Sequence, residues 1–424
     1  MLRTLSLPAP VTKPGTIEVL GRHYPTDSYT NITPAILSRL NARLIDKPAH
    51  PLATLKALIE DYFADYALFS SFPPLVTPKQ NFDDLSFAPD HPGRAVTDSY
   101  YVNKDLMLRT HTSAHEVEIF AAGHKKWLLT ADVFRRDEID ASHYPIFHQM
   151  EGARLFKHDR TATSASLIEE NERLSSELSY ENVQLEDKTR VDSGNPYQSY
   201  HDPQLADLVT QNLKYTLSLM FFKLFAGVAG ASKSNPLQIR WIPAFFPFTS
   251  PSYEVEVLFR DKWLELLGCG VIQQATLANS KIENEIGWAF GLGLERIAMI
   301  LYQIPDIRLF WSEDPRFLGQ FQPGKITTFK PFSKYPGTWR DVSFWLPERF
   351  HSNDFCDIVR VVAGDLAEEV TLFDQFKHPM TGKESMCFRI TFRSMERNLE
   401  NTEVNVLTNI IKDRATKELG VEIR

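Results

Sequence analysis

Between Val133 and Gly152 the chain reads VFRRDEIDASHYPIFHQMEG, which gathers two arginines, two histidines, two phenylalanines and a Gln-x-Glu ending into twenty residues. Arginine grips phosphate or carboxylate through parallel N–H donors, an aromatic face takes a base, and a carboxylate beside an amide takes an ammonium. Val133–Asp137 is predicted as a strand end, Glu138–Tyr144 as a polar loop and Ile146–Glu151 as a second strand. Alternation sends His148 and Met150 to one face of that strand, and Phe147, Gln149 and Glu151 to the other. A hairpin of this kind would aim Arg135, His143, Phe147, Gln149 and Glu151 into one space, which suits a nucleotide and an amino acid held together.

A second segment, GWAFGLGLERIAMILY from Gly287 to Tyr302, supplies the complement. Ala289–Gly293 reads as a strand entering a glycine-bearing turn. Leu294, Ile297, Ala298, Leu301 and Tyr302 then recur at helical spacing, and Pro305 marks the end. Gly291 and Gly293 let the backbone approach a ligand. Arg296, in the first helical turn, can stack on a base or meet phosphate.

The two stretches resemble motifs 2 and 3 of the class II aminoacyl-tRNA synthetases, and their wording is similar to the phenylalanyl-tRNA synthetases, most of all the single-chain mitochondrial form. Three further segments carry the likeness: LRTHTSAH (Leu108–His115), FFPFTSPSYEVEV (Phe245–Val257) and WLELLGCGV (Trp263–Val271). The resemblance runs from about Tyr24 to the end and thins across Lys157–Pro203. It implies an α+β chain: a class II antiparallel sheet flanked by helices, then a ferredoxin-like anticodon-binding domain. It also implies roles. Arg135 would contact the α-phosphate and the amino-acid carboxylate, and His143 would reach the phosphates. Phe147 and Arg296 would sandwich adenine beside Gly291 and Gly293, with Glu265 as a Mg²⁺ ligand. Ser113, Gln149 and Glu151 would take the α-ammonium, with His111 also at the phenylalanine site; Glu116 lies where many family members carry Gln, and its charge would either assist the ammonium or face solvent. Phe246 and Phe248 would meet the phenyl ring, with Ala289 and Gly291 leaving it room. The implied partners are ATP with Mg²⁺, L-phenylalanine and tRNA-Phe, with no organic cofactor. No segment resembles a proofreading domain, so tyrosine must be excluded at the pocket or left uncorrected.

At 424 residues the chain has length for two or three domains. Its formal charge of -8 is the wrong sign for a nucleic-acid binder, but the source is local. Residues 159–207 carry eleven acids against four bases, so the stretch 157–203 reads as a solvated acidic insertion that keeps away from RNA. Cys269, Cys356 and Cys387 have neither disulfide nor zinc spacing, which fits a reducing compartment. The longest apolar run, around Leu217–Ala231, is broken by Lys223 and too short for a bilayer, so no membrane partner is expected. Met1–Ile17 has Arg3, Lys13, hydroxyl residues and no acid, a faint echo of a mitochondrial presequence. With the resemblance it points to the mitochondrial matrix.

Four regions follow. Residues 1–71 form a helical segment packing on the next unit, with Leu52, Leu55, Leu58, Ile59 and Phe63 at helical spacing; 72–315 are the catalytic domain. Residues 316–328, with Pro323 and Gly324, read as a linker. Residues 329–424 run strand, helix, strand, strand, helix, strand: the βαββαβ order of a ferredoxin-like unit. The resemblance makes Arg389, Arg393 and Arg397 its candidate tRNA contacts. Residues 325–424 hold 15 basic and 15 acidic side chains, so RNA recognition there would need a local cluster and aromatic stacking. Catalytic motifs and an anticodon-type domain on one chain favour a monomer over one subunit of a hetero-oligomer. The retained Arg135 and Arg296 argue against an inactive RNA-binding paralogue.

Overall fold

The computed structural model describes residues 15–260, 262–332 and 335–424. The presequence-like residues up to Pro14, and Ser333 and Lys334 at the start of the C-terminal unit, lie outside the described residues.

Among the described residues, eight strands make the central sheet: β1 (Ala67–Phe69), β2 (Lys126–Phe134), β3 (Ile146–Lys157), β4 (Val183–Asp187), β5 (Leu237–Phe246), β6 (Thr249–Phe259), β7 (Lys262–Ile272) and β8 (Glu285–Gly293). They lie in the order β1-β2-β3-β8-β7-β6-β5-β4. The interior pairs are antiparallel, and only the two edge strands, β1 on β2 and β4 on β5, run parallel to their neighbours. Register aligns Gly291 with Glu151 on one side and Gly268 on the other, and Ala289 with Ala153 and Gly270. Since side chains alternate along a strand, one face of the sheet centre carries glycine and alanine beside Gln149 and Glu151. The opposite face carries Met150, Phe290, Leu292 and Cys269.

That opposite face is the main core. Helices α1 (Pro51–Tyr62), α2 (Ala162–Tyr180), α3 (Pro203–Ala229) and α4 (Leu294–Tyr302) cover it. On α4, the predicted Leu294, Ile297, Ala298, Leu301 and Tyr302 are all fully buried. Each large apolar side chain so placed contributes about 1.5–3 kcal/mol. α3 starts where Asp202 accepts from the Leu205 N–H at 3.0 Å with Pro203 next, and stops at Gly230 in the left-handed region (φ 63°). His148, on the core side of β3, donates from Nδ1 to Glu295 Oε1 (2.6 Å), and its backbone N–H donates to Glu295 Oε2 (2.8 Å). This buried bridge ties β3 to the first turn of α4.

Two expectations need correcting. The stretch 157–203 is not a solvated insertion: it supplies α2 and the edge strand β4. Leu167, Asn171, Leu174 and Leu178 form a narrow buried stripe at helical spacing, and Asn171 donates to the Leu208 carbonyl of α3 at 2.9 Å. Three solvated faces around that stripe gave the segment its polar composition. Residues 316–328 are likewise not a free linker. Phe317, Phe321 and Phe329 are buried in the main core, and the Phe329 N–H donates to the Tyr302 carbonyl at 2.7 Å. Pro323 and Gly324 only turn a packed segment, with Gly324 at φ 73°.

The C-terminal unit has strands β9 (Thr338–Trp345), β10 (Ala367–Lys377), β11 (Glu384–Phe392) and β12 (Glu422–Ile423), and helices α5 (Ser352–Ala363) and α6 (Asn401–Leu419). The sheet order is β10-β11-β9-β12, with both helices on one face around Val342, Phe344, Phe355, Phe388 and Ile411. The unit docks on the β2–β3 loop. Ile139 of that loop is part of the C-terminal core. Arg136 pairs with Asp354 (2.8 Å) and Asp357 (2.5 Å), and Tyr144 donates to Asp365 (2.9 Å), which also pairs with Arg39 (2.6 Å).

Candidate active site

A cavity of about 790 Å³ opens on the small-residue face of the sheet, bounded by β3, β7 and β8 and by loops around 86–93, 110–113 and 245–249. This is the size of a cleft for one or two small molecules. Of the sequence candidates, His111, Ser113, Arg135, Gln149, Glu151, Phe246, Phe248, Ala289 and Gly291 line it together.

Its apolar end is built by close packing. The Phe246 and Phe248 rings stack at 5.8 Å with 12° between planes. Phe246 lies directly over Gly268: a Cβ there would stand 2.4 Å from its Cζ, so only glycine permits this ring position. Space above Gly291 is open, with nothing within 4 Å of an added Cβ. That glycine leaves room for a ligand rather than for a neighbouring side chain.

The polar end is buried and under-partnered. Arg135, just past β2, donates from Nε to the Thr110 carbonyl at 2.8 Å, and its guanidinium lies 5.2 Å from the centre of the Phe147 ring. No carboxylate lies within salt-bridge distance of it among the described residues. The Thr112 N–H donates to Gln149 Oε1 at 3.2 Å, orienting that amide. Both ring nitrogens of His111 and one oxygen of Glu151 are buried without a hydrogen-bond partner. Burial, then the charge of Arg135, push His111 down to about 3, so the ring is neutral and offers one donor and one acceptor. Burial pushes the Glu151 carboxyl up to about 7, against hydrogen bonds from Thr112 and Ser113. Unsatisfied buried polar atoms cost stability unless a ligand completes them.

Other candidates stand outside this lining. Phe147 follows Gln149 and Glu151 outward on the same strand face, under Arg135. Gly293 pairs in register with Gln149, and Arg296 stands on α4, exposed, with Nη1 3.5 Å from Glu265 Oε1. Glu265 thus has an arginine partner, and both side chains of the pair are exposed. Glu254, on the adjacent strand, was not anticipated. Burial, then Glu265 and Glu256, push its carboxyl upward. Among the described residues no group of three or more His, Cys, Asp or Glu side chains is placed to hold a metal ion. His143 is not brought to the cavity. It binds Asp140 at 2.7 Å and lines a small space between the β2–β3 loop and the C-terminal unit, because that loop is drawn toward Arg360 and Asp365. Glu116 is buried behind Glu151.

Sequence reasoning missed Phe87, whose ring stacks on His111 at 5.5 Å and 10°, and Asn353 of α5, which reaches the cavity from the other domain. Phe87 sits in a loop without periodicity, and nothing local in the sequence connects Asn353 to the catalytic motifs.

The C-terminal sheet exposes a second surface. Arg389 lies between the rings of Trp339 (4.0 Å) and Phe373 (3.8 Å), which are 54% and 58% exposed, and it pairs with Asp341. Arg424 covers Trp345 and Phe376. Arg393 and Arg397 point elsewhere, to Glu368 and Glu403, and Phe388 is core.

Residues 38–189 and 205–321 match the family described as tRNA synthetases class II core domain (F), and 333–424 match the ferredoxin-fold anticodon binding domain. The phenylalanine–tRNA ligase, mitochondrial, of Saccharomyces cerevisiae is 44% identical over 96% of this chain and 95% of its own length. The chain belongs to the phenylalanine–tRNA ligase family of class II synthetases. A relative of the same name from Mus musculus is 43% identical over 97% of the chain and 90% of its own length. The alpha subunit of a phenylalanine–tRNA ligase from Photobacterium profundum is 32% identical over 64% of the chain. The core-domain match includes much of the stretch read as an insertion, in accord with its place in the sheet.

Proposed function

We propose that the chain activates L-phenylalanine with ATP and transfers it to the 3′ end of tRNA-Phe, as a monomer in the mitochondrial matrix. The observation that carries this is one cavity joining an aromatic slot, a carboxylate–amide end and a buried arginine without a carboxylate partner. Attack of a carboxylate on the α-phosphate brings two anions together, so positioning and charge neutralisation supply most of the rate. Arg135 would hold both anions in line. Gln149, Glu151, Ser113 and neutral His111 take the ammonium, and Phe246, Phe248 and Ala289 take the ring. Adenine lies outward between Phe147 and Arg296, over Gly291 and Gly293. Mg²⁺, carried by ATP, would be held by Glu265 with Glu254 and would neutralise phosphate charge. His143 reaches phosphate only if the β2–β3 loop leaves the C-terminal unit. The Arg389–Trp339–Phe373 platform offers stacking surfaces for unpaired bases of the tRNA.

The matrix assignment rests on the named relatives and on a reducing-compartment cysteine pattern; the monomer rests on both domains sharing one chain. Charging of total mitochondrial tRNA with each of several amino acids, followed by identification of the acceptor, tests the reading. Phenylalanine on a single tRNA species supports it, and charging with a different amino acid refutes it.

A further inference from the structure

Two carboxyl groups meet at the ammonium end of the cavity with no cation to offset them. Glu151 lines the cavity from β3; Glu116 begins the short helix Glu116–Ala121 behind it. They are 4% and 2% exposed, and each keeps one oxygen shut from water without a hydrogen-bond partner. Of the charged and titratable groups around them, all but Arg135 are committed elsewhere or neutral, and Arg135 pairs with neither glutamate among the described residues. Arg109 is spent on Asp132, on the carbonyls of Phe72 and Pro73, and on His115. His115 is tied through Nδ1 to Glu118, His111 is neutral, and Arg135 is oriented by the Thr110 carbonyl. Neither glutamate is in an ion pair among the described residues, and only Thr112 and Ser113 donate to Glu151. Two buried carboxylates that share a site without a paired cation cannot both ionise at low cost, so one must keep its proton.

We propose that Glu116 is a positioning residue that stays protonated, and that Glu151 sheds a proton to solvent when the ammonium of the amino acid enters. This rests on reading the cavity as the amino-acid site. The charge balance closes: a neutral pair of acids becomes one neutral acid, one carboxylate and the ammonium it binds. Glu116, deeper and facing the charge of Glu151, is held well above the usual carboxylate range by burial first and that charge second. Its neutrality keeps the site from carrying a second anion that would repel the substrate carboxylate nearby. The same arrangement makes phenylalanine affinity fall as pH drops below neutrality, because a protonated Glu151 offers the ammonium no charge.

The test is titration calorimetry of L-phenylalanine into the full chain, without ATP, in MES and Bis-Tris at pH 6, PIPES and imidazole at pH 7, and Tris and Bicine at pH 8.5. Buffer-dependent heats count the protons released. The proposal expects nearly one at pH 6, about half at pH 7 and almost none at pH 8.5, with affinity about fivefold weaker at pH 6 than at pH 7. Measurable binding with buffer-independent heats at all three pH values would overturn it. Absence of binding at every pH would instead defeat the amino-acid reading itself. Glu116→Gln, near-isosteric and checked for fold by circular dichroism, replaces the neutral acid with an amide that can donate to Glu151. It should release fewer protons at pH 6 and bind several-fold tighter there than wild type. An unchanged proton count would reduce Glu116 to a packing role. The wild-type pH dependence of KM for phenylalanine in pyrophosphate exchange provides a second reading should the variant not fold.

Discussion

Ala289 makes the most quantitative claim about substrate choice. It is 7% exposed on β8, lines the cavity, and has Gly270 and Ala153 as cross-strand neighbours. Backbone rather than flexible side chains flanks it, so little can give way when its volume changes. Ala289→Val puts two methyl groups into the ring slot opposite Phe246 and Phe248, whose stacking and seat over Gly268 prevent retreat. Overpacking of this kind costs about 1–3 kcal/mol, or roughly 5- to 150-fold in kcat/KM for phenylalanine. Ala289→Gly removes one methyl and opens the floor toward the para position. A para-halogenated phenylalanine should then gain about 1–3 kcal/mol relative to phenylalanine, the usual worth of a small volume change in an apolar pocket. The assay is pyrophosphate exchange with both amino acids, and the informative quantity is the ratio of their kcat/KM values. If neither variant moves that ratio by more than about twofold, Ala289 is not part of the ring slot, and the orientation of phenylalanine in the cavity is wrong.

Arg135→Ala should lower kcat for exchange by several kcal/mol in transition-state terms, about 10²–10³-fold, because the arginine serves charge that shifts during reaction; survival of activity within a few fold would contradict its role. Arg296→Ala should raise the KM for ATP while lowering kcat, and an effect on phenylalanine KM alone would move adenine elsewhere. A fragment ending after Phe332, which retains the packed Phe317, Phe321 and Phe329, should keep exchange activity within about tenfold but lose tRNA charging; full charging would make the C-terminal unit dispensable. Trp339→Ala should raise the KM for tRNA by about 1–3 kcal/mol per lost stack while leaving exchange unchanged, and an unaltered tRNA KM would remove the platform from recognition.

Much of this architecture was legible because it rests on period. The β2–β3 hairpin could be read from alternation at 146–151, α4 from the 294–302 repeat, and the C-terminal order from alternating strand and helix patterns. The α2–β4 segment was misread because only four of its nineteen helical residues face the core, so composition outweighed a thin stripe. The packing of 316–328 was hidden for the opposite reason: Pro323 and Gly324 announce a turn, and they outweighed Phe317 and Phe321, which stand four apart at helical spacing and are buried with Phe329. In the site, residues on strands were placed by their neighbours' pattern. Those on loops, His143 and Phe87, and Asn353 from another domain, depend on tertiary docking that local sequence does not encode. His143 shows the cost of assuming that a polar loop between two site strands points into the site.

Pyrophosphate exchange by the purified full chain, with ATP and each of the twenty amino acids in turn, tests the central claim most directly. The cavity, with its aromatic slot, ammonium end and unpaired arginine, predicts exchange dependent on phenylalanine, with tyrosine weaker because its hydroxyl would be buried without a designated partner at the apolar end. Exchange driven equally by an aliphatic or charged amino acid, or none by any of the twenty from folded protein, would contradict it.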